Sequence, residues 1–152
     1  MRSRRALVLA QAALARLGST AEADDELNER GLRALGEAAW RQRAFGEVAR
    51  AYAALLVQPG GAGDDDARAT AEFRLASALE RTGDVATAIA LLERAAPRLP
   101  GDARGQAYRL LADLHERRGD LAAAAAALET NALATDATAS ATARADALYR
   151  AG

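Results

Sequence analysis

The chain of 152 residues has no cysteine and no lysine, only one histidine, and an aromatic content of 4%. The absence of cysteine excludes disulfides, thiolate metal sites and a cysteine nucleophile. The single histidine, His115, excludes a metal site built from several histidines. Apolar runs are also far shorter than the ~20 residues that a helix needs to cross a bilayer, so we expect no membrane insertion.

The two signs of charge are nearly balanced, with 20 basic residues, all of them arginine, and 21 acidic residues interleaved along the chain. A nucleic-acid ligand needs a basic field on one surface, so nucleic acid is not an expected partner. The hydrophobic fraction of 51% consists largely of alanine, a strong helix former. Arginine without lysine, together with abundant alanine, indicates a GC-rich bacterial genome.

Glycine and proline separate segments that carry helical periodicity, and two of the breaks are alike. Gly83-Asp84 and Gly119-Asp120 each combine a glycine that can end a helix in the left-handed conformation with an aspartate that can cap the next helix. Such turns predict antiparallel helix hairpins. We expect about eight helices, including one at residues 4–18 and one that starts near Asp136.

Residues 1–23 allow two interpretations. Their basic start and the apolar stretch Ala6–Leu14 resemble a secretory signal peptide. Gln11 and Arg16 interrupt that stretch, however, and its leucines recur at the spacing of an amphipathic helix. We therefore expect a cytoplasmic protein, with the periplasm as the alternative if residues 1–23 act as a signal.

The chain also repeats itself. Leu75–Asp84 aligns without a gap with Leu111–Asp120, Leu35–Arg43 is an earlier copy, and Ala145–Gly152 matches the end of the unit. The period lies in the mid-thirties. These residues resemble the tetratricopeptide repeat (TPR), a helix hairpin of ~34 residues.

The resemblance implies an all-α fold, a right-handed α-solenoid of antiparallel helix hairpins that forms a single domain over 1–152. It places the repeats at approximately 29–62, 69–102 and 105–138, followed by a half-repeat or cap at 139–152. The first repeat has Arg43-Ala44 where the others have Gly-Asp, so its hairpin must close differently. We expect Phe45 to anchor that turn.

In such a solenoid the first helix of each hairpin lines a concave face that holds a peptide. Arginines that recur on this face could pair with carboxylates, which predicts a protein or peptide partner that is acidic or carboxylate-terminated. The competing interpretation is a solvated face with local ion pairs. The candidate residues are Arg30, Arg33, Glu37, Trp40, Arg41, Phe73, Arg74, Ser77, Arg81, Gln106, Arg109, Asp113 and Arg117.

Family members that clamp a chaperone's C-terminal carboxylate use lysine and asparagine where this chain has Arg33 and Glu37, so chaperone binding is not implied. The loop Gly60–Asp66 has neither the ending of a phosphate loop nor the spacing of a calcium loop. The serines have no histidine in helical reach. We expect no enzyme activity, no cofactor and no metal.

The sequence thus predicts a non-catalytic protein-interaction module or scaffold that binds a peptide or partner helix in its groove. One alternative is an assembly or oligomerisation segment of a larger bacterial protein, whose partner is the remainder of a longer chain. Another is a TPR factor of envelope assembly.

Overall fold

The computed structural model describes residues 21–58 and 63–151, with side chains for 28–58 and 63–137. These residues are helical and contain no β-strand, which confirms the all-α prediction. The predicted helix at 4–18 lies outside them, and the count of about eight helices is not confirmed. The six α-helices are α1 (Ala21–Arg41), α2 (Phe45–Val57), α3 (Asp65–Thr82), α4 (Val85–Ala95), α5 (Gly101–Arg117) and α6 (Leu121–Ala151), with a short 3₁₀ helix at Ala96–Arg98 after α4.

The described residues belong to two compact units, one that ends at Leu99 and one that begins at Pro100. In the first unit α1, α2, α3 and α4 pack in chain order, each against the next. Its buried core contains alanines and larger apolar side chains in similar numbers, so small residues occupy much of the interface between the helices. The fully buried residues include Ala39, Val48, Leu55, Ala69, Ala76, Ala78, Ala88, Leu92 and Leu99.

The two predicted Gly-Asp turns are confirmed. Gly83 and Gly119 both have positive φ, at 95° and 79°, a conformation that costs glycine little. The Asp84 side chain then accepts a hydrogen bond from the Thr87 amide at 3.2 Å. Asp120 does the same for the Ala123 amide at 3.0 Å. Each aspartate therefore caps the helix that follows it.

The turn between α1 and α2 closes in another way, as its sequence predicts. Arg43 takes the left-handed conformation with φ of 58°, which few residues other than glycine adopt. The Ala44 amide donates to the carbonyl of Ala39 at 2.9 Å, which ends α1. Phe45 then opens α2 with its ring against Trp40. The aromatic contact thus stands at the turn that lacks glycine.

In the second unit α5 packs against α6 and buries Tyr108, Leu111 and Leu114. The sequence predicts a new helix that starts near Asp136. Instead α6 runs unbroken for 31 residues. It contains neither glycine nor proline, and Thr135 donates its hydroxyl to the carbonyl of Asn131 within the helix. An aspartate in an alanine-rich stretch without a helix breaker does not start a new helix.

One charged side chain is buried among the described residues. Glu72 of α3 is 1% exposed and is surrounded by three arginines. Its Oε1 lies 3.0 Å from Arg94 Nη2 and 3.7 Å from Arg68 Nε, and its Oε2 contacts Arg98. Arg98 also reaches Asp65 at 3.2 Å. The cluster links the first half of α3 to the last turn of α4 and to the 3₁₀ helix that follows it, at the end of this helix pair away from the turn at Gly83.

Replacing Glu72 by glutamine should lower the free energy of unfolding by about 2–4 kcal/mol, because a buried ion pair is costly to break from one side. The matched control is Glu47→Gln. Glu47 pairs with Arg50, whose side chain is 78% exposed, so its loss should cost less than about 1 kcal/mol. Urea unfolding followed by circular dichroism measures both. Equal midpoints for the two variants would contradict the structural role of Glu72.

Candidate functional site

Two of the predicted arginines lie over aromatic rings on one surface of the first unit. The guanidinium carbon of Arg74 is 5.0 Å from the centre of the Trp40 ring, and that of Arg81 is 5.7 Å from the Phe45 ring. The two rings meet edge to face, with centroids 5.6 Å apart and planes at 79°. We call Trp40, Phe45, Arg74 and Arg81 the arginine–aromatic surface.

Three helices position this surface. Trp40 lies in the last turn of α1, Phe45 is the first residue of α2, and the turn at Arg43 brings their rings together. Arg74 and Arg81 are seven residues apart on α3, which places them on the same face. Arginine can stack its plane on a ring and still offer the N–H groups at its edge to an acceptor.

The surface is open to solvent. The Arg81 side chain is 56% exposed, whereas Arg74, Trp40 and Phe45 are half-buried, with 34% of the Arg74 side chain still exposed. Both guanidinium groups, stacked on the rings, therefore remain in part accessible to water. A partner could reach both charges without opening the fold.

Glu37 connects the surface to the core. Its Oε1 accepts a hydrogen bond from the hydroxyl of Tyr52 at 2.7 Å and lies 3.6 Å from Arg74 Nε. Tyr52 is 4% exposed. Burial, followed by the hydrogen bond and the negative charge of Glu37, raises the pKa of the Tyr52 hydroxyl above its ordinary value. Tyr52 thus stays neutral and donates.

Gly36 provides the space for this arrangement. A Cβ at this position would lie 2.7 Å from Cε2 of Tyr52, closer than real Cβ contacts come. The ring of Tyr52 therefore packs directly against the backbone of α1. This close approach allows its hydroxyl to reach Glu37, the next residue on the same helix.

The other predicted residues of the first unit do not join the surface to the same degree. Arg33 pairs with Glu29 of its own helix at 2.9 Å. Ser77 donates its hydroxyl to the carbonyl of Phe73, which is half-buried. Arg30 and Arg41 are exposed. Several arginines therefore have the local carboxylate that the competing interpretation predicts.

In the second unit the predicted residues form a face of their own on α5. Gln106, Arg109, Asp113 and Arg117 are all exposed and follow one another at helical spacing. Arg117 Nη1 lies 3.7 Å from Asp113 Oδ2. The predicted site is thus divided between two units, and only the first of them stacks its arginines on aromatic rings in the described residues.

The sequence alone does not place Phe45 and Tyr52 in the site. Phe45 is predicted to anchor a turn, and Tyr52 is one of the positions that carry the resemblance to the repeat. The available signal is their position relative to Trp40 and Gly36, since each comes from the helix that packs against α1. Neither the ring contact nor the hydroxyl contact follows from residue spacing alone.

Within the described residues, no group of three or more acidic or histidine side chains is arranged to hold a metal ion. None of the helices searched there combines the length and the apolar character that a membrane span requires. His115 is half-buried near the end of α5. No protein-family model, curated protein or solved structure matches the chain.

Gly36→Ala should destabilise the first unit by about 1–3 kcal/mol, because the new methyl group overlaps the ring of buried Tyr52. Gly46→Ala is the control. Gly46 lies in α2, and a Cβ added to it would meet nothing within 4 Å beyond its own stretch of helix, so alanine there should raise the free energy of unfolding by up to about 1 kcal/mol through helix propensity. Thermal unfolding measures both changes. If Gly36→Ala raised the unfolding temperature, the close approach of the Tyr52 ring to the backbone at Gly36 would be contradicted.

The raised pKa of Tyr52 predicts a loss of stability in alkali. The unfolded chain loses the Tyr52 proton near pH 10 while the folded chain keeps it, so the free energy of unfolding falls as the pH rises above about 10. Tyr52→Phe should flatten this fall, since phenylalanine has no proton to lose. Urea titrations between about pH 9 and 11 test the difference. Parallel curves for the two proteins would show that Tyr52 does not titrate abnormally.

Proposed function

We propose that this chain is a non-catalytic protein-interaction module of the TPR type, which binds a protein segment at the arginine–aromatic surface. The solenoid arrangement is part of the proposal. It is supported by the recurring sequence unit, by the matching turns at Gly83 and Gly119, and by the serial packing of α1 to α4. The observation that carries the function is the exposed stacking of Arg74 on Trp40 and Arg81 on Phe45.

Arginine and large aromatic residues are the types that contribute most to binding at protein interfaces. Here they are held in place before any partner arrives, because the two rings pack against each other and each arginine stacks on one of them. Little side-chain freedom is then lost on binding. A surface that only kept the chain dissolved would not need aromatic rings under its charges.

The expected partner is a protein or peptide with an acidic or carboxylate-terminated segment. The charges of the chain are balanced overall, at a formal net charge of -1, which does not favour the phosphate backbone of a nucleic acid. The proposed compartment is the cytoplasm, with the periplasm as the alternative if residues 1–23 are a signal. The module needs no cofactor.

Selection of peptides from a displayed random library tests the function. Selected peptides should bind the chain, and Arg74→Ala and Arg81→Ala should each weaken binding by about tenfold, as loss of a charge-assisted contact does. Arg50→Ala is the control, because Arg50 is an exposed arginine of α2 that pairs with Glu47. Peptides that bind all three variants equally would contradict the proposed surface.

A second candidate function is assembly with another subunit or with the remainder of a longer chain. The observation that favours it is the exposure of three leucines on α6, Leu121, Leu128 and Leu133, at 65%, 49% and 64%. Leu121 and Leu128 are seven residues apart and share one face of α6, and exposed apolar side chains that lie together are what a contact surface presents. Sedimentation over a range of concentrations distinguishes a monomeric peptide binder from a self-assembling chain.

A further inference from the structure

We propose that the arginine–aromatic surface takes an acidic segment in the polyproline II conformation, with two carboxylates three residues apart. We also propose that one of these carboxylates replaces Glu37 at Arg74. The inference rests on the proposed function and adds the chemistry of the ligand. Two features of the structure carry it, the spacing of the two arginines and the looseness of the contact between Glu37 and Arg74.

The spacing follows from helix geometry. Arg74 and Arg81 are seven residues apart on α3, which separates their backbone positions by about 10 Å along the helix axis. A polyproline II segment has three residues per turn and rises ~3.1 Å per residue, so residues i and i+3 lie on one face about 9 Å apart. In a β-strand, residues i and i+3 point to opposite faces. The polyproline II conformation therefore matches the spacing of the two arginines along α3 and keeps both carboxylates on the side of the ligand that faces them.

A ligand carboxylate can replace Glu37 at Arg74 with little loss of free energy. Glu37 Oε1 lies 3.6 Å from Arg74 Nε, which is longer than a hydrogen bond, and the Glu37 side chain is 42% exposed. The same oxygen accepts the stronger contact from Tyr52 at 2.7 Å. When a ligand carboxylate approaches Arg74, Glu37 can keep that hydrogen bond and turn its charge toward water.

Arg81 provides the second position. It lies 3.1 Å from Glu80, its neighbour in sequence, and remains 56% exposed. Adjacent residues on a helix point in different directions, so Glu80 does not cover the face that Arg81 shares with Arg74. A planar guanidinium has five N–H donors and can serve two carboxylates at once.

Trp40 offers a direct signal for binding. It is the only tryptophan in the chain, and it contacts both Arg74 and Phe45. Its fluorescence should change when the charge next to it is exchanged. The probe is the capped peptide Glu-Pro-Pro-Glu, titrated into the full chain at low ionic strength. Two capped comparison peptides are Glu-Pro-Glu-Pro, with the same charge at closer spacing, and Gln-Pro-Pro-Gln, with no charge.

We expect Glu-Pro-Pro-Glu to bind at least about threefold more tightly than Glu-Pro-Glu-Pro, and Gln-Pro-Pro-Gln not to bind. Glu37→Gln should increase the affinity for Glu-Pro-Pro-Glu by about two- to fivefold, since an exposed competing charge is removed and the glutamine oxygen still accepts from Tyr52. Glu47→Gln is the matched control. It removes the same charge from α2, away from the surface, and should change the affinity by less than about 1.5-fold.

Equal affinity for the two acidic peptides would overturn the spacing, and an unchanged affinity in Glu37→Gln would overturn the exchange. If no acidic peptide binds while library peptides bind through Arg74 and Arg81, this inference fails and the proposed function stands. If no peptide of any kind depends on those arginines, the proposed function fails as well. Circular dichroism of each variant shows that its helices are intact.

Discussion

The helices of the first unit approach one another through alanine and glycine, and the other features of that unit depend on this close approach. Ala39, Ala69, Ala76 and Ala88 have no exposed surface, so helix backbones come near each other where they cross. Gly36 is the extreme case, because the ring of Tyr52 occupies the space of its missing side chain. The contacts of the candidate surface are a consequence, since a larger residue in that place would move α2 and Phe45 away from α1.

The second constraint is the buried charge of Glu72, which determines how α3 is rotated about its own axis. A carboxylate that is shielded from water must keep its cationic partners, so this side of α3 has to face Arg94 and Arg98. Residues two apart on a helix point in nearly opposite directions, which turns Arg74 toward α1 and Trp40. The ion cluster on one side of α3 thereby determines the direction in which the arginines on the other side point.

Local signals in the sequence predict the helices and the turns at Gly83 and Gly119, because a glycine with positive φ and a capping aspartate act within a few residues. The same reasoning fails at Asp136, where a capping residue without a helix breaker leaves α6 continuous. The arginines of the candidate surface could be named from their recurrence. Their stacking could not, since it requires the turn at Arg43 and the rotation of α3, which depend on residues distant in sequence.

The internal carboxylates of the surface also determine what kind of binding it can support. Arg74 and Arg81 each lie near an acidic side chain of the chain itself, so a ligand carboxylate would not neutralise an uncompensated charge. At Arg74 it would replace the contact with Glu37, and at Arg81 it would share the guanidinium with Glu80, so the gain in free energy per carboxylate is small. Tight binding would then have to come from apolar parts of the partner that pack on the portions of the Trp40 and Phe45 rings left exposed beside the arginines. The two arginines would provide specificity through the spacing of the partner's carboxylates, and contacts with the rings would provide most of the affinity.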